Sequence, residues 1–309
     1  MAERRFERLR PQQAWDALAA FPCVYVPFGP IEWHSRHLPV GTDFLKAQGL
    51  CLRAAERSGG LVFPMLFFGV WTVPWPLGMR TDPNQVQANA ATVMHYLARN
   101  GVKAIMWLSG HGGTEDILAL RRAAHAVMQH ADVLIQAGPY SDLMRDQPCS
   151  GDHAGGLETS FMLNLHPDVV DLGALNPDPS VWPEGVGGED PRKHATLERG
   201  RALTELVVGR LAEIAQRLVA TTDPVAKRHH RQCVAQQVAV EDMVVYGRAH
   251  LSREDAPLKV PTPEWIAHLE AYRTGDYLSA IKAGAEVIEW CRQHTAGRRP
   301  AGTEYERIV

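Results

Sequence analysis

The stretch PIEWHSRHLPVGTD, residues 30–43, gathers Glu32, His34, His37 and Asp43 within fourteen positions. Glu32 and His34 are two apart, so in extended chain they share a face with Cα atoms ~6.5–7 Å apart. That separation suits two adjacent metals better than chelation of one. Asp43 follows a bend at Pro39–Gly41 and is placed to bridge cations about 3.5–4 Å apart, the usual spacing of a metal pair. His37 reads equally as a further ligand or as a structural imidazole. Two later stretches have the same layout of small residues, a histidine and an acid. SGHGGTE (109–115) presents His111 on a glycine-rich turn, and GDHAGGLETS (151–160) presents His153 and then Glu158.

Each feature has a plain reading when taken alone. His111 can be a capping or core imidazole, and the turn around it lacks the Lys-Ser/Thr of a phosphate-binding loop. Glu158 can be a first-turn carboxylate favoured by the helix dipole. His153 can be a loop histidine bonded to backbone. A further cluster, KRHHRQ (227–232), reads as a solvated basic surface.

The elements around these stretches give them a common address. Apolar runs at 23–29, 61–68, 102–110 and 132–138 predict strands. Helical patterns follow at 44–59, 83–101, 114–131 and 157–167. Strands spaced by helices of this length pair in parallel, which predicts a three-layer α/β/α sandwich around a mostly parallel sheet. Ligands in such sheets sit at the carboxyl ends of the strands, where the three polar stretches fall. Further on, 175–195 is rich in proline and glycine and reads as a loop of the lid type. Residues 197–220 form a strongly amphipathic helix, two more helical patterns lie near the C-terminus, and 296–309 reads as a loose tail.

Composition sets limits. The chain has 309 residues, 45% of them hydrophobic and 22% charged, enough to bury a full core. A net charge of −3 gives no electrostatic footprint for nucleic acid. Residues 61–79 carry no charge, but Pro64, Pro74 and Pro76 with Gly69 and Gly78 interrupt any spanning helix, so no membrane is expected. The charged, helical start shows no apolar signal segment. Five dispersed cysteines without a C-x-x-C pair predict free thiols and a cytoplasmic protein.

Taken together, the segments resemble the creatininase (creatinine amidohydrolase) family. Its first motif, P-x-G-x-x-E-x-H-G-x-H-L-P-x-x-x-D, is matched by PFGPIEWHSRHLPVGTD. Its second, N-G-H-G-G-N, is matched by SGHGGT, its third, H-A-G-x-x-E-T-S, by HAGGLETS, and a fainter A-T-x-E-x-G by ATLERG at 195–200. The resemblance runs over roughly residues 20–220. It implies that Glu32, Asp43 and His111 hold one divalent metal and that His34 and Asp43 hold another, with Asp43 shared. Zn²⁺ or Mn²⁺, or Fe²⁺ as in some deformylases, would fill the sites at two per subunit; mixed imidazole and carboxylate donors suit these ions. Creatininase takes a further Glu two residues after the second-motif His, where this chain has Gly113. Glu158 is the best replacement and Glu115 the next. Thr114 stands for the family's Asn and Ser35 for its Gly.

The resemblance further implies a metallohydrolase domain over 1–222, with residues 223–309 a helical extension packed on it, and a homo-oligomer, commonly a hexamer. The expected reaction is hydrolysis of a cyclic amide or formamide C–N bond. His153, whose family counterpart is catalytic, would shuttle the proton to the leaving nitrogen, beside Glu158. Trp71, Trp75 and the 175–195 loop would wall a pocket for a small-molecule substrate. Two other functions compete: hydrolytic opening of a cyclic ketone, as in inosose hydrolases, and a catalytically inactive metal-binding structural subunit.

Overall fold

A strand covered on both faces has no solvent side to mark, so it reads as an unbroken apolar run. The computed structural model, which describes residues 3–73, 77–148, 151–248 and 262–295, puts strands on four such runs. These are Cys23–Phe28 (β1), Leu61–Val62 (β2), Ala104–Ser109 (β3) and Leu134–Pro139 (β4). The helices are Pro11–Ala20 (α1), Thr42–Ser58 (α2), Pro83–Arg99 (α3), Thr114–His130 (α4), Gly156–Leu165 (α5), Pro191–His194 (α6), Leu197–Ala220 (α7), Pro224–Arg248 (α8), Pro263–Thr274 (α9) and Tyr277–Thr295 (α10).

All strand pairs are parallel, in the order β2-β1-β3-β4. Right-handed crossovers then dictate the layers. The step from β1 to β2 runs opposite to the steps toward β3 and β4, so α2 lies on one face and α3 with α4 on the other. Alternation along the strands agrees. Cys23, Tyr25, Ala104, Met106 and Leu108 point into a core shared with α2, α5 and α7. Val24, Val26, Phe28, Ile105 and Trp107 are buried on the opposite side, where α3 and α4 pack on each other. The result is the expected α/β/α sandwich.

Three details differ from the sequence reading. The second strand is predicted over 61–68 but is regular only at Leu61–Val62; beyond it the Phe63 amide donates to Tyr25 and the Leu66 amide to Pro27, with an isolated bridge from Phe28 to Leu66. Pro64 falls in a bulge, where the donors to the Tyr25 and Pro27 carbonyls, Phe63 and Leu66, are three residues apart instead of two, at the edge of the sheet where a proline is tolerated. KRHHRQ is solvated only in part: it lies inside α8 with Arg228 and Gln232 exposed, but His230 is fully buried. The third difference is α8 itself, a 25-residue helix that the sequence reading passes over.

The chain divides between Lys227 and Arg228 into two compact units. The second has a core of its own, with Val240, Val244, Trp265, Leu269, Val287 and Cys291 packed together. Cys23, Cys51, Cys233 and Cys291 are buried, whereas Cys149, Trp75 and the expected tail lie outside the described residues. No helix among the described residues is long and apolar enough to cross a membrane.

Candidate metal centre

The strand register decides where the polar stretches meet. Phe28 pairs with Ser109, and Ser109 with Pro139, so β1, β3 and β4 end flush. Chain leaving β1 turns toward β2 and chain leaving β3 toward β4, which opens a crevice between them at the reversal of strand order. The stretch after β1 delivers Glu32 and His34, α2 begins with Asp43 in its first turn, and the turn after β3 delivers His111. The Asp43 backbone comes so close to this turn that a Cβ at position 110 would lie 2.0 Å from the Asp43 carbonyl oxygen, so only Gly110 fits.

Five side chains proposed from sequence as ligands come together, each less than a tenth exposed: Glu32, His34, Asp43, His111 and Glu158. Two ligand-like groups share Asp43, one with Glu32 and His111 and the other with His34 and Glu158. In the first, His111 Nδ1 lies 3.1 Å from Glu32 Oε2 and 3.3 Å from Asp43 Oδ2. Neither oxygen accepts a hydrogen bond despite complete burial. Buried carboxylate oxygens without donors are costly in a folded protein, and a cation at their common focus removes that cost. In the second group, His34 Nε2 lies 3.6 Å from Asp43 Oδ1 and 3.5 Å from Glu158 Oε2. His34 Nδ1–H donates to the Glu32 carbonyl at 3.1 Å, which leaves Nε2 as the inward atom, the usual arrangement of a ligating imidazole.

The electrostatics follow from this crowding. Burial pulls the imidazole of His34 down, but Asp43, Glu158 and Glu32 overcome it and raise it to about 9. His111 is likewise pulled down by burial and carried well above its usual range by Asp43 and Glu32. Asp43 is held well below the carboxylate range, because His34 and His111 outweigh its desolvation. The same carboxylates that keep protons on these rings would favour a divalent cation in the protons' place.

Of the remaining expected residues, His153 forms a third ligand-like group with Glu32 and His34, and the others take lesser positions. His37 is buried and shares a hydrogen bond with the Thr159 hydroxyl at 2.9 Å; burial and the nearby His34 lower it to about 4. Glu115 joins neither group. His153 sits beside the centre, its ring 4.4 Å from that of His34, with Nε2–H donating to the Trp33 carbonyl at 3.0 Å. Glu158 Oε2 accepts the Ala154 amide at 2.8 Å. Ser35, in the place of the family's Gly, takes the left-handed φ of 60° that a glycine would adopt freely. The 175–195 loop is fastened rather than loose. Arg192 donates to the carbonyls of Asn176, Asp178 and Val181, and Gly187 exchanges both backbone hydrogen bonds with His153. Trp71 is 46% exposed.

Sequence reasoning missed two buried charges that touch these ligand candidates, Asp116 and Lys46. Asp116, in the first turn of α4, accepts the Val70 and Trp71 amides at 2.6 and 3.1 Å, and burial raises it to about 6. It lies 3.6 Å from His111 Nε2 and so holds the 69–73 segment, whose Val73 amide in turn donates to Glu32 Oε1 at 2.6 Å. Lys46, fully buried in α2, pairs with Glu158. Both lie on the core-facing stripe of an amphipathic helix, Lys46 with Ala47, Leu50 and Ala54, and Asp116 with Leu120, Ala123 and Val127. A charge in such a stripe is the signal that would have found them.

The sequence and the fold have counterparts in known proteins. Creatinine amidohydrolase of Pseudomonas putida is 29% identical over 235 residues, 63% of this chain and 90% of that one. The mycofactocin precursor peptide peptidase of Mycolicibacterium smegmatis is 31% identical over 159 residues, 48% of this chain and 60% of that one. A crystal structure of creatinine amidohydrolase (creatininase) superposes with a TM-score of 0.63 at 23% identity, covering 72% of this chain and all of that one. Similar folds include a creatininase described as a manganese form and a mutant described as Zn-Zn type, with TM-scores of 0.61 and 0.58. Residues 7–215 match the family model Creatininase, described as creatinine amidohydrolase. With more than half of its length so matched, the chain belongs to the creatininase (creatinine amidohydrolase) family.

Proposed function

We propose that this chain is a metal-dependent hydrolase that cleaves the C–N bond of a cyclic amide or formamide. One observation carries the reading: Glu32 Oε2 and Asp43 Oδ2 are buried, lack hydrogen-bond donors and lie around His111 Nδ1 in a member of an amidohydrolase family. A divalent cation held by Glu32, Asp43 and His111, zinc or manganese by its donor set, supplies Lewis acidity and brings the acidity of water near neutrality. The chain's own groups do the rest. The Val73 amide fixes Glu32, and Asp116 stands behind His111, so these side chains are ordered before substrate arrives. His153 has Nε2 engaged by Trp33, so proton transfer to the leaving nitrogen falls to Nδ1. Glu158, bonded to the Ala154 amide, keeps the turn carrying His153 in register with the centre.

A second reading, cleavage of a peptide amide, is favoured by the mycobacterial relative described as a precursor peptide peptidase. A screen of cyclic amides, formamides and short peptides, with and without chelator, tests both. Chelator-sensitive turnover of a cyclic amide or formamide supports the first reading, turnover of peptides alone supports the second, and chelator-resistant turnover contradicts both. A homo-oligomeric assembly belongs to the same proposal on family resemblance, and sedimentation measures it.

A further inference from the structure

We propose that this centre holds one metal ion per chain, because the ammonium of Lys46 takes the place of a second cation between Glu158 and Asp43. The inference rests on the metallohydrolase reading above and narrows it. Lys46 lies one helical turn after Asp43, on the side of α2 that faces the core, and has no solvent exposure. Its ammonium donates to Glu158 Oε1, lies 3.8 Å from Asp43 Oδ1 and sits 4.2 Å from the centroid of the Tyr140 ring. Carboxylates on one side and an aromatic face on the other are the surroundings a buried ammonium requires.

The two groups that share Asp43 are therefore unequal. Each keeps an inward atom without a hydrogen-bond partner, Glu32 Oε2 and Asp43 Oδ2 in one and His34 Nε2 in the other, so the difference between them is one of charge. Around His34, Asp43 and Glu158 a fixed positive charge is already present. Glu158 is fully engaged there, with Oε1 taking the Lys46 ammonium and Oε2 taking the Ala154 amide. A divalent ion at His34, Asp43 and Glu158 would share the Glu158 carboxylate with the ammonium. Cations roughly 4–5 Å apart in a dry site weaken each other's binding on the order of 10³-fold or more. The turn after β3 offers no compensating donor. A Cβ at position 113 would lie 2.5 Å from His111 Nε2 and 2.6 Å from Asp116 Oδ2, so Gly113 admits no side chain. Asp116 itself is turned toward the Val70 and Trp71 amides. Lys46 thus acts as a positioning residue that orients Glu158 with a charge no chelator removes.

The test is metal content, independent of activity. Purified chain is loaded with excess zinc or, separately, manganese, freed of unbound ion by gel filtration and measured by elemental mass spectrometry. The expected result is one ion per chain for the native sequence and two for Lys46→Met, with Lys46→Gln as the alternative variant if the first does not fold. Two ions in the native chain would overturn the inference while leaving the metallohydrolase reading intact. One ion in a folded Lys46→Met chain would also overturn it, since the lysine would then not be the reason. No ion in the native chain would sink the metallohydrolase reading itself. The native count does not depend on any variant folding.

Discussion

Both units of this protein bury imidazoles completely, and they use them in opposite ways. In the second unit, His268 Nδ1–H donates to the Ala280 carbonyl at 2.7 Å and Nε2 faces the Gln237 amide nitrogen at 3.3 Å. His230 lies between the hydroxyls of Tyr272 and Tyr277, at 3.3 and 3.5 Å from its two nitrogens. Each ring nitrogen there meets a neutral protein partner. At the end of the sheet, His34 Nε2 and His111 Nδ1 instead face carboxylate oxygens, of which Glu32 Oε2 and Asp43 Oδ2 receive no hydrogen bond. Burial alone therefore does not mark a functional histidine. Acids without donors at the same focus do, because only a cation satisfies them together.

The contrast can be broken most forcefully at Asp43, which both groups share. Asp43→Ala should lose bound metal and reduce turnover by about 10⁴-fold or more. Retention of full metal content and rate would place the centre elsewhere. Removing a group beside the metal should act differently. His153→Ala should keep its metal by elemental analysis while turnover slows by about 10²–10⁴-fold, as for a lost general acid. Metal loss in that variant would make His153 a ligand instead.

Stability against pH sharpens the same contrast. In metal-free protein the His34 imidazole is raised from 6.5 to about 9. Its folded form binds the proton more tightly than its unfolded form, so the stabilisation is complete below 6.5 and is lost as pH rises through 9. Denaturant titrations of chelator-treated protein should show a fall on the order of 3 kcal/mol across that window. Metal-loaded protein should show a smaller fall, because a cation held by Glu32, Asp43 and His111 offsets the charge of Asp43 and Glu32 that keeps the proton on His34. Equal pH profiles for the two forms would contradict a cation at Glu32 and Asp43, the acids that raise His34. The smallest effect belongs to the second unit. Tyr272→Phe removes one partner of His230 and should cost about 1–2 kcal/mol by urea unfolding, with metal content unchanged.

Much of this was readable from residue order. The runs at 23–29, 102–110 and 132–138 became β1, β3 and β4, because a sheet covered on both faces selects continuous apolar chain. The three His/acid stretches each follow a strand end or begin a helix, so parallel topology alone brought them to one edge. Lys46 and Asp116 stayed hidden because an isolated charge on an otherwise apolar helical stripe looks like a slip of pattern; only the tertiary structure shows what each one meets. Helix α8 was missed because its start, PVAKRHHRQ, is basic without a clear apolar stripe, and His230 is buried by aromatic rings from α9 and α10 that lie far along the chain.

The most direct test of the centre is an anomalous difference map from crystals grown with zinc or manganese, recorded at the metal's absorption edge. A peak within bonding distance of Glu32, Asp43 and His111 is the predicted result. Strong anomalous density elsewhere, with none among those three side chains, would contradict the account.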